Sequence, residues 1–341
     1  MRFGGGSIIM KELTMLDLRN NSVFAPYEAD FIAQKRALGC KYNAAVEVLN
    51  LFDDFCVEYG LTEPVLDQQL YDSWCKKRPS ENETTHYIRV QYINLFSKFL
   101  NDNGISALAA FYPTPKRSKS FVPYIFTADE ISRLFNAIDQ ANSRPSPGSP
   151  IRHLVHPVLF RTLYGCGLRV SEAAGLKTED VDLDTGAVVI RMAKGGKDRM
   201  VVLSDSLLEI CRDYHSRPEV IRFESEYFFP SRDHGFYDDS SLYADFRKYL
   251  HLSGIPHRGR GKGPRLHDLR HTFAVHVLNN WAAQGKDLYT CLPILQQYLG
   301  HANITATEKY LQLVPDAYNQ VTKTFEAKFP GLFPEVLNET E

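Results

Sequence analysis

The sequence has no apolar run long enough to span a bilayer, and its start, MRFGGGSIIMKELTML, places glycines and charges where a secretory signal needs unbroken apolar residues. A cytoplasmic protein with no membrane partner is therefore expected. Its six cysteines, Cys40, Cys56, Cys75, Cys166, Cys211 and Cys291, are scattered, with no CxxC pair and no metal-ligand spacing. That excludes a disulfide scaffold and a zinc finger, and leaves the thiols as reduced core residues. A P-loop and a clustered carboxylate site are both missing, so the sequence points to no nucleotide or metal chemistry and no cofactor is expected. Overall basicity is missing too, since 39 Lys and Arg against 41 Asp and Glu give a formal net charge of -2, which argues weakly against a nucleic-acid partner.

What the chain does have is length for two domains, with 44% hydrophobic residues among 341 to fill two cores. Its basic residues are also unevenly placed. Lys116, Arg117 and Lys119 cluster in one Pro-flanked segment, while Arg258, Arg260, Lys262, Arg265 and Arg270 crowd another in which Asp268 is the only acid. Either run is a solvated charged face or a track for a phosphate backbone, and the second leads directly into the motif LHDLRH.

Punctuation divides the chain. After an extension over residues 1–27, residues 28–112 read as a small helical bundle, with one apolar stripe on Val48, Leu51, Phe52 and Phe55 and another on Ile93, Phe96 and Leu100. Residues 113–124 combine prolines, serines and basic residues and read as an interdomain linker that tracks nucleic acid. A second domain over 125–323 opens with TADE at Thr127, a capping box that starts a helix. It is mostly helical. Its one interruption, AVVIRMAKGGKDRMVVL from Ala187 to Leu203, reads as a β-hairpin with Lys194 and Lys197 at the tip. A tip lysine is either solvated decoration or a mobile proton donor for a leaving alkoxide, and spacing alone does not choose between them.

Near the end, LHDLRHTF from Leu266 and YLGHANITATEKYL from Tyr298 bring an arginine, two histidines and a tyrosine into two short blocks. His267 and Arg270 are three apart, so a helix projects both from one face. Guanidinium and imidazole donors that hold a phosphate while a phenol attacks it would break a DNA strand without metal or water. Gly300 can end one helix, and Thr305 with Glu308 forms a second capping-box pattern that would start a short helix carrying Tyr310.

GCGLRVSEAAGL, AKGGKDRMVVL, LHDLRHTFA and LGHANITATEKY occur in the order seen in tyrosine recombinases, and the chain resembles the phage integrase and Xer type. The resemblance covers the whole second domain and, less specifically, the bundle, which is similar to the family's core-binding domain. It implies a mainly α fold with a small β-hairpin, built as a two-domain, C-shaped DNA clamp. Residue by residue, it makes Arg169 and Arg270 the phosphate-clamping arginines, Lys194 the general acid, His301 a phosphate ligand and Tyr310 the nucleophile. His267 assists proton transfer and is the expected acceptor of the tyrosine proton. The neighbouring His257, His271 and His276 are expected to be structural. AKGGKDR departs from the commoner GKGxKxR by Ala193, which leaves Lys197 as a substitute for Lys194.

The implied reaction is metal-independent and ATP-independent transesterification through a 3′-phosphotyrosyl bond. The implied partners are double-stranded DNA at a specific recombination site, a homo- or hetero-tetramer on synapsed DNA, and an accessory or sister recombinase. Phe325, Phe329, Leu332 and Phe333 in the tail over 324–341 either pack on their own domain or insert into a neighbouring protomer. Two rival readings share part of this pattern. A type IB topoisomerase shares the chemistry but not the wording of these motifs, and a noncatalytic DNA-binding paralogue would have no use for the nucleophile.

Overall fold

The computed structural model describes residues 17–39, 42–107, 122–146, 148–191, 198–257, 259, 263–314 and 328. The chain forms two compact units, Met1–Phe121 and Val122–Glu341. It is mostly helical, with a single two-stranded sheet among the described residues.

The first unit contains α1 (Ala25–Ala37), α2 (Asn43–Tyr59), α3 (Gln68–Cys75) and α4 (Glu83–Asp102). Local chemistry sets several of the boundaries. Asp67 and Asn82 cap α3 and α4 by accepting the Leu70 and Thr85 amides at 2.8 and 2.9 Å, and Gly60 ends α2 in the left-handed region. Phe24, Phe31, Phe52, Trp74 and Phe96 fill the core, with Trp74 edge-on to Phe52. Ile93, Phe96 and Leu100 are buried as their spacing predicts. Leu51 is not, at 45% exposure. It stands about 60° around the helix from Val48, at the edge of the arc rather than within it.

One core group is costly. Glu28 is fully buried, and both of its carboxylate oxygens lack a hydrogen-bond partner. Burial first, and then the nearby Asp53 carboxylate, push its pKa from 4.5 to about 8. The folded unit therefore keeps a proton that the unfolded chain releases above about pH 4.5, so stability falls as pH rises and levels off above about 8. Glu28→Gln keeps the shape and removes the titration. It is expected to raise the stability of this unit by a few kcal/mol at pH 8 and by little at pH 4.5. Trp74 fluorescence during denaturation of the full chain in a Trp281→Phe background measures this, and equal pH dependence in the two proteins contradicts it.

The second unit opens with α5 (Ala128–Ala141), where Thr127 accepts the Glu130 amide and Glu130 accepts the Thr127 amide, a complete capping box. α6 (Arg152–Gly165) runs through the core against α5 and against the helices over Asp205–Ser216 and Asp268–Ala283, and accordingly buries Val155, Leu159, Phe160 and Leu163. Then follow α7 (Val170–Ala174) and a 3₁₀ turn at Thr178–Asp180. β1 (Ala187–Ile190) and β2 (Arg199–Val202) pair antiparallel, with Ala187 opposite Val202 and Ile190 opposite Arg199. α8 (Asp205–Ser216), α9 (Pro218–Ile221), α10 (Asp239–Leu252), α11 (Asp268–Ala283), α12 (Leu288–Leu299) and α13 (Thr305–Glu308) complete the order, ahead of a 3₁₀ turn at Leu311–Leu313.

Two details differ from the expected local structure. Thr305 does not cap α13: Ile304 occupies the cap position with helical backbone angles and no side-chain bond, and Asn303 Oδ1 takes the Ala306 amide at 3.2 Å. Tyr310 consequently lies beyond α13, at the start of the 3₁₀ turn, rather than on the helix. No helix among the described residues is long and apolar enough to cross a membrane.

Candidate active site

Residues of α7, β2 and α11 meet around one carboxylate, Glu172. Arg169 stands at the N-cap of α7 and bonds Glu172 through its backbone amide at 2.9 Å and its Nη1 at 2.6 Å. Arg199, the first residue of β2, grips the same carboxylate with both terminal nitrogens at 2.8 Å and donates its Nε to the Tyr298 carbonyl at 2.9 Å. Arg270, in the first turn of α11, lies 3.9 Å from Glu172 and is 1% exposed. Its guanidinium donates to the carbonyls of Gly167 at 2.8 Å and Leu299 at 2.5 Å.

Glycine backbone makes this convergence possible. Gly167 (φ 57°) and Gly300 (φ 66°) are left-handed, and their carbonyls accept Arg270 and Arg169 respectively. A Cβ on Gly167 would lie 2.4 Å from the Phe273 ring, and one on Gly300 would lie 2.9 Å from Arg199 Cδ. Gly300 also ends α12, as its position in the sequence predicts.

Three guanidinium charges against one carboxylate leave the site with an excess of positive charge, shaped to receive an anion. Burial, then repulsion from Arg169, lowers the Arg270 pKa to about 10. Burial raises the Glu172 pKa, but hydrogen bonds from Arg199 and the Arg169 amide outweigh it and hold the carboxyl at about 2. Burial and the arginines keep His267 and His301 neutral, with pKa values lowered to about 4 in each. His301 Nδ1 meets the Thr307 hydroxyl at 2.8 Å, and its ring stacks on Tyr310 at 6.1 Å between centroids. When Thr307 donates, the His301 proton sits on Nε2, where it can be given to a ligand.

Tyr310 is 4% exposed and packs with Leu278, Leu299 and Val314. Its hydroxyl is 2.8 Å from Nδ1 of His271. The ring that meets the phenol is therefore His271 and not, as expected, His267, which sits one helical turn earlier and touches the His271 ring edge-on, 4.8 Å between centroids. His276 meets the Tyr164 hydroxyl at 2.9 Å.

Arg169, His267, Arg270, His301 and Tyr310 are thus brought together. Arg265 lies beside them, bonded to the buried Asp268, and its charge lowers the pKa values of His267 and His271. Lys194 and its substitute Lys197, the basic residues Lys116, Arg117, Lys119, Arg258, Arg260 and Lys262, and the tail residues Phe325, Phe329, Leu332 and Phe333 lie outside the described residues. Three members of the site were not foreseen. Glu172 and Arg199 both lie inside the quoted motifs, in GLRVSE and AKGGKDR, and the i, i+4 spacing of His267 and His271 places both rings on one helix face.

Residues 125–316 match the family model described as the phage integrase family. The chain belongs to this family. A putative integrase/recombinase, y4rB of Sinorhizobium fredii, is 30% identical over 318 residues, which span 90% of this chain and 98% of that protein. Tyrosine recombinase XerC of Halalkalibacterium halodurans is 29% identical over 259 residues, 70% of this chain and 79% of its own. Among solved structures, XerH recombinase bound to a palindromic difH substrate superposes with a TM-score of 0.62 at 16% identity, over 91% of this chain and 92% of that one. A lambda integrase tetramer bound to a Holliday junction gives 0.59 at 15% identity, over 88% and 79%. The phage integrase member described here therefore has the tyrosine recombinase fold, and its family supports site-specific DNA recombination as its activity.

Proposed function

We propose that the chain cuts and rejoins DNA by transesterification, with Tyr310 as the nucleophile. The observation that carries this reading is the buried Tyr310 hydroxyl beside a cluster of arginines that Glu172 neutralises only in part. Arg169 and Arg270 bind the nonbridging oxygens of the scissile phosphate, and His301 adds a neutral donor through Nε2. Arg199 holds Glu172 and the Tyr298 carbonyl, and so fixes the scaffold on which Arg169 is aimed. The phenol attacks phosphorus, the bond to the 5′ oxygen breaks, and Lys194 protonates the departing alkoxide. That role for Lys194 rests on the family resemblance. His267 lends its ring to the proton traffic around the tyrosine. The phosphotyrosyl link conserves the bond energy, so a 5′ hydroxyl from a partner strand can reverse the step without an added energy source.

In this reading both units bind the duplex, with Lys116, Arg117, Lys119, Arg258, Arg260, Lys262 and Arg265 on its phosphate backbone. The XerH structure bound to its difH substrate and the lambda integrase tetramer bound to a Holliday junction support DNA as the partner and a multimeric synapse as the working form.

The test is covalent capture. Nicked duplexes drawn from a randomised pool trap the enzyme once the cut end diffuses away, and mass spectrometry of the digested adduct is expected to find the nucleotide on Tyr310. An adduct on another residue, or none, rejects the assignment.

A further inference from the structure

We infer that His271 is a catalytic residue of the strand-transfer reaction: its Nδ1 takes the proton of the Tyr310 hydroxyl as the phenol attacks, and returns it when the tyrosine departs. The inference rests on the reading of Tyr310 as nucleophile and adds to it the base that reading requires.

The geometry decides between the two histidines of α11. His271 Nδ1 lies 2.8 Å from the phenolic oxygen, within the range a general base needs, and the tilted rings lie 5.5 Å apart. In the Nε2–H tautomer the Nδ1 lone pair receives the hydroxyl proton directly. His267 stands behind His271, its ring perpendicular to it at 4.8 Å, where it can orient the base or take charge density from it. The two are one turn apart on the helix that also supplies Arg270, so proton acceptor and phosphate clamp share one rigid element.

The charges around His271 suit a base that works only on a loaded site. His267, Arg265 and Arg270 from α11 and its approach, and His301 and Tyr310 from the segment after α12, all face it. Burial and these neighbours hold its pKa down to about 3, so before DNA arrives the ring is neutral and its lone pair is free to accept. A bound phosphodiester brings a negative charge to the arginines and offsets their repulsion of an imidazolium. Protonation of His271 then costs least when the phosphate is in place. The balance closes: the O–H bond of Tyr310 breaks and an N–H bond forms on His271, the Tyr310 oxygen bonds phosphorus, and the bond to the 5′ oxygen breaks with its own proton from the general acid. The reverse attack releases the tyrosine, which recovers the proton from His271.

The experiment compares the wild type with His271→Asn, His271→Ala and Tyr310→Phe on nicked duplexes selected by covalent capture on the wild-type chain. Asparagine puts an oxygen acceptor near the Nδ1 position but cannot hold the proton, so it keeps the contact if alanine disturbs folding. His271→Asn is expected to bind the duplex and melt like the wild type, yet form the adduct roughly 10² to 10⁴ times more slowly near neutral pH. Its rate should climb with pH as solvent hydroxide replaces the missing base. A 5′-bridging sulfur, which leaves without protonation, should not restore the rate, because the defect lies on the attacking side. Adduct formation by His271→Asn within about threefold of the wild type, with the same pH profile, overturns the inference while Tyr310 stands. Recovery by the bridging sulfur overturns it too, by moving the defect to the leaving group. An adduct that survives Tyr310→Phe, or the absence of any wild-type adduct, overturns the nucleophile assignment itself and this inference with it.

Discussion

Tyr310→Phe is expected to abolish the covalent DNA adduct completely while leaving DNA binding and folding nearly intact. The hydroxyl is the only group removed, and the ring that remains still packs with Leu278, Leu299 and Val314 in a site only 4% exposed. The lost hydrogen bond to His271 costs about 1 kcal/mol, the usual worth of a neutral pair. Some of that is returned, because a buried hydroxyl no longer has to be satisfied. Neither change approaches what unfolds a domain. Catalysis has no such tolerance, since no nearby group can replace the phenol. His271 and His301 are neutral imidazoles, each with its Nδ1 already engaged by a hydroxyl, that of Tyr310 and that of Thr307. The measurement is the rate of covalent capture on nicked duplexes, set against gel-shift affinity for the same DNA. Persistent capture at more than a trace would mean that another residue attacks. Loss of both capture and affinity would mean that the phenol serves binding rather than chemistry.

The parts of this site that were legible in the sequence are those whose position is fixed by short-range rules. The capping box at Thr127 and the glycine stop at Gly300 follow from backbone groups within four residues of each other, and both are present. The pairing of Val188 and Val201 across the hairpin likewise follows from two β-rich runs around a glycine pair. The rest depended on contacts between distant segments. Leu51 has the right spacing for the stripe of α2 but stays at its edge, because what a helix face covers is set by its neighbours. Thr305 has the letters of a cap, yet the helix start is capped by Asn303 through the Ala306 amide, since competing polar side chains two residues apart cannot be ranked without the turn that presents them. His271 is the clearest case. Its partner lies 39 residues away, so only the folded chain shows which of two rings on one helix face meets Tyr310. Glu172 is similar: as a letter it completes a local pair with Arg169, and only the docking of β2 and α11 makes it the counter-ion of three arginines.

That counter-ion carries the second large effect, since Glu172→Ala is expected to damage stability and catalysis together. The carboxylate is 6% exposed and accepts hydrogen bonds from the Arg169 amide and guanidinium and from both terminal nitrogens of Arg199. Removing it leaves three cationic groups close together with little water to screen them. Breaking a buried pair from one side costs about 3–5 kcal/mol, because the partner charge stays behind. Arg169 would also lose the contact that sets its guanidinium, and misplacing one such donor costs roughly 10² to 10³ in rate. Glu172→Gln should be milder, since it keeps the shape and one acceptor oxygen. Acid provides a check on the cause. A carboxyl held at about 2 in the folded chain and near 4.5 when unfolded contributes stability that is complete above pH 4.5 and disappears as pH falls through about 2. The gap between wild type and Glu172→Gln should therefore narrow as the pH is lowered through that window. An added anion gives the complementary test: sulfate binding to the uncompensated arginine cluster should raise the melting temperature of Glu172→Ala more than that of the wild type, because it supplies the missing negative charge. Equal sulfate shifts, or a Glu172→Ala protein as stable as the wild type, would show that the arginines are held apart by their carbonyl partners alone and that Glu172 is dispensable to the site.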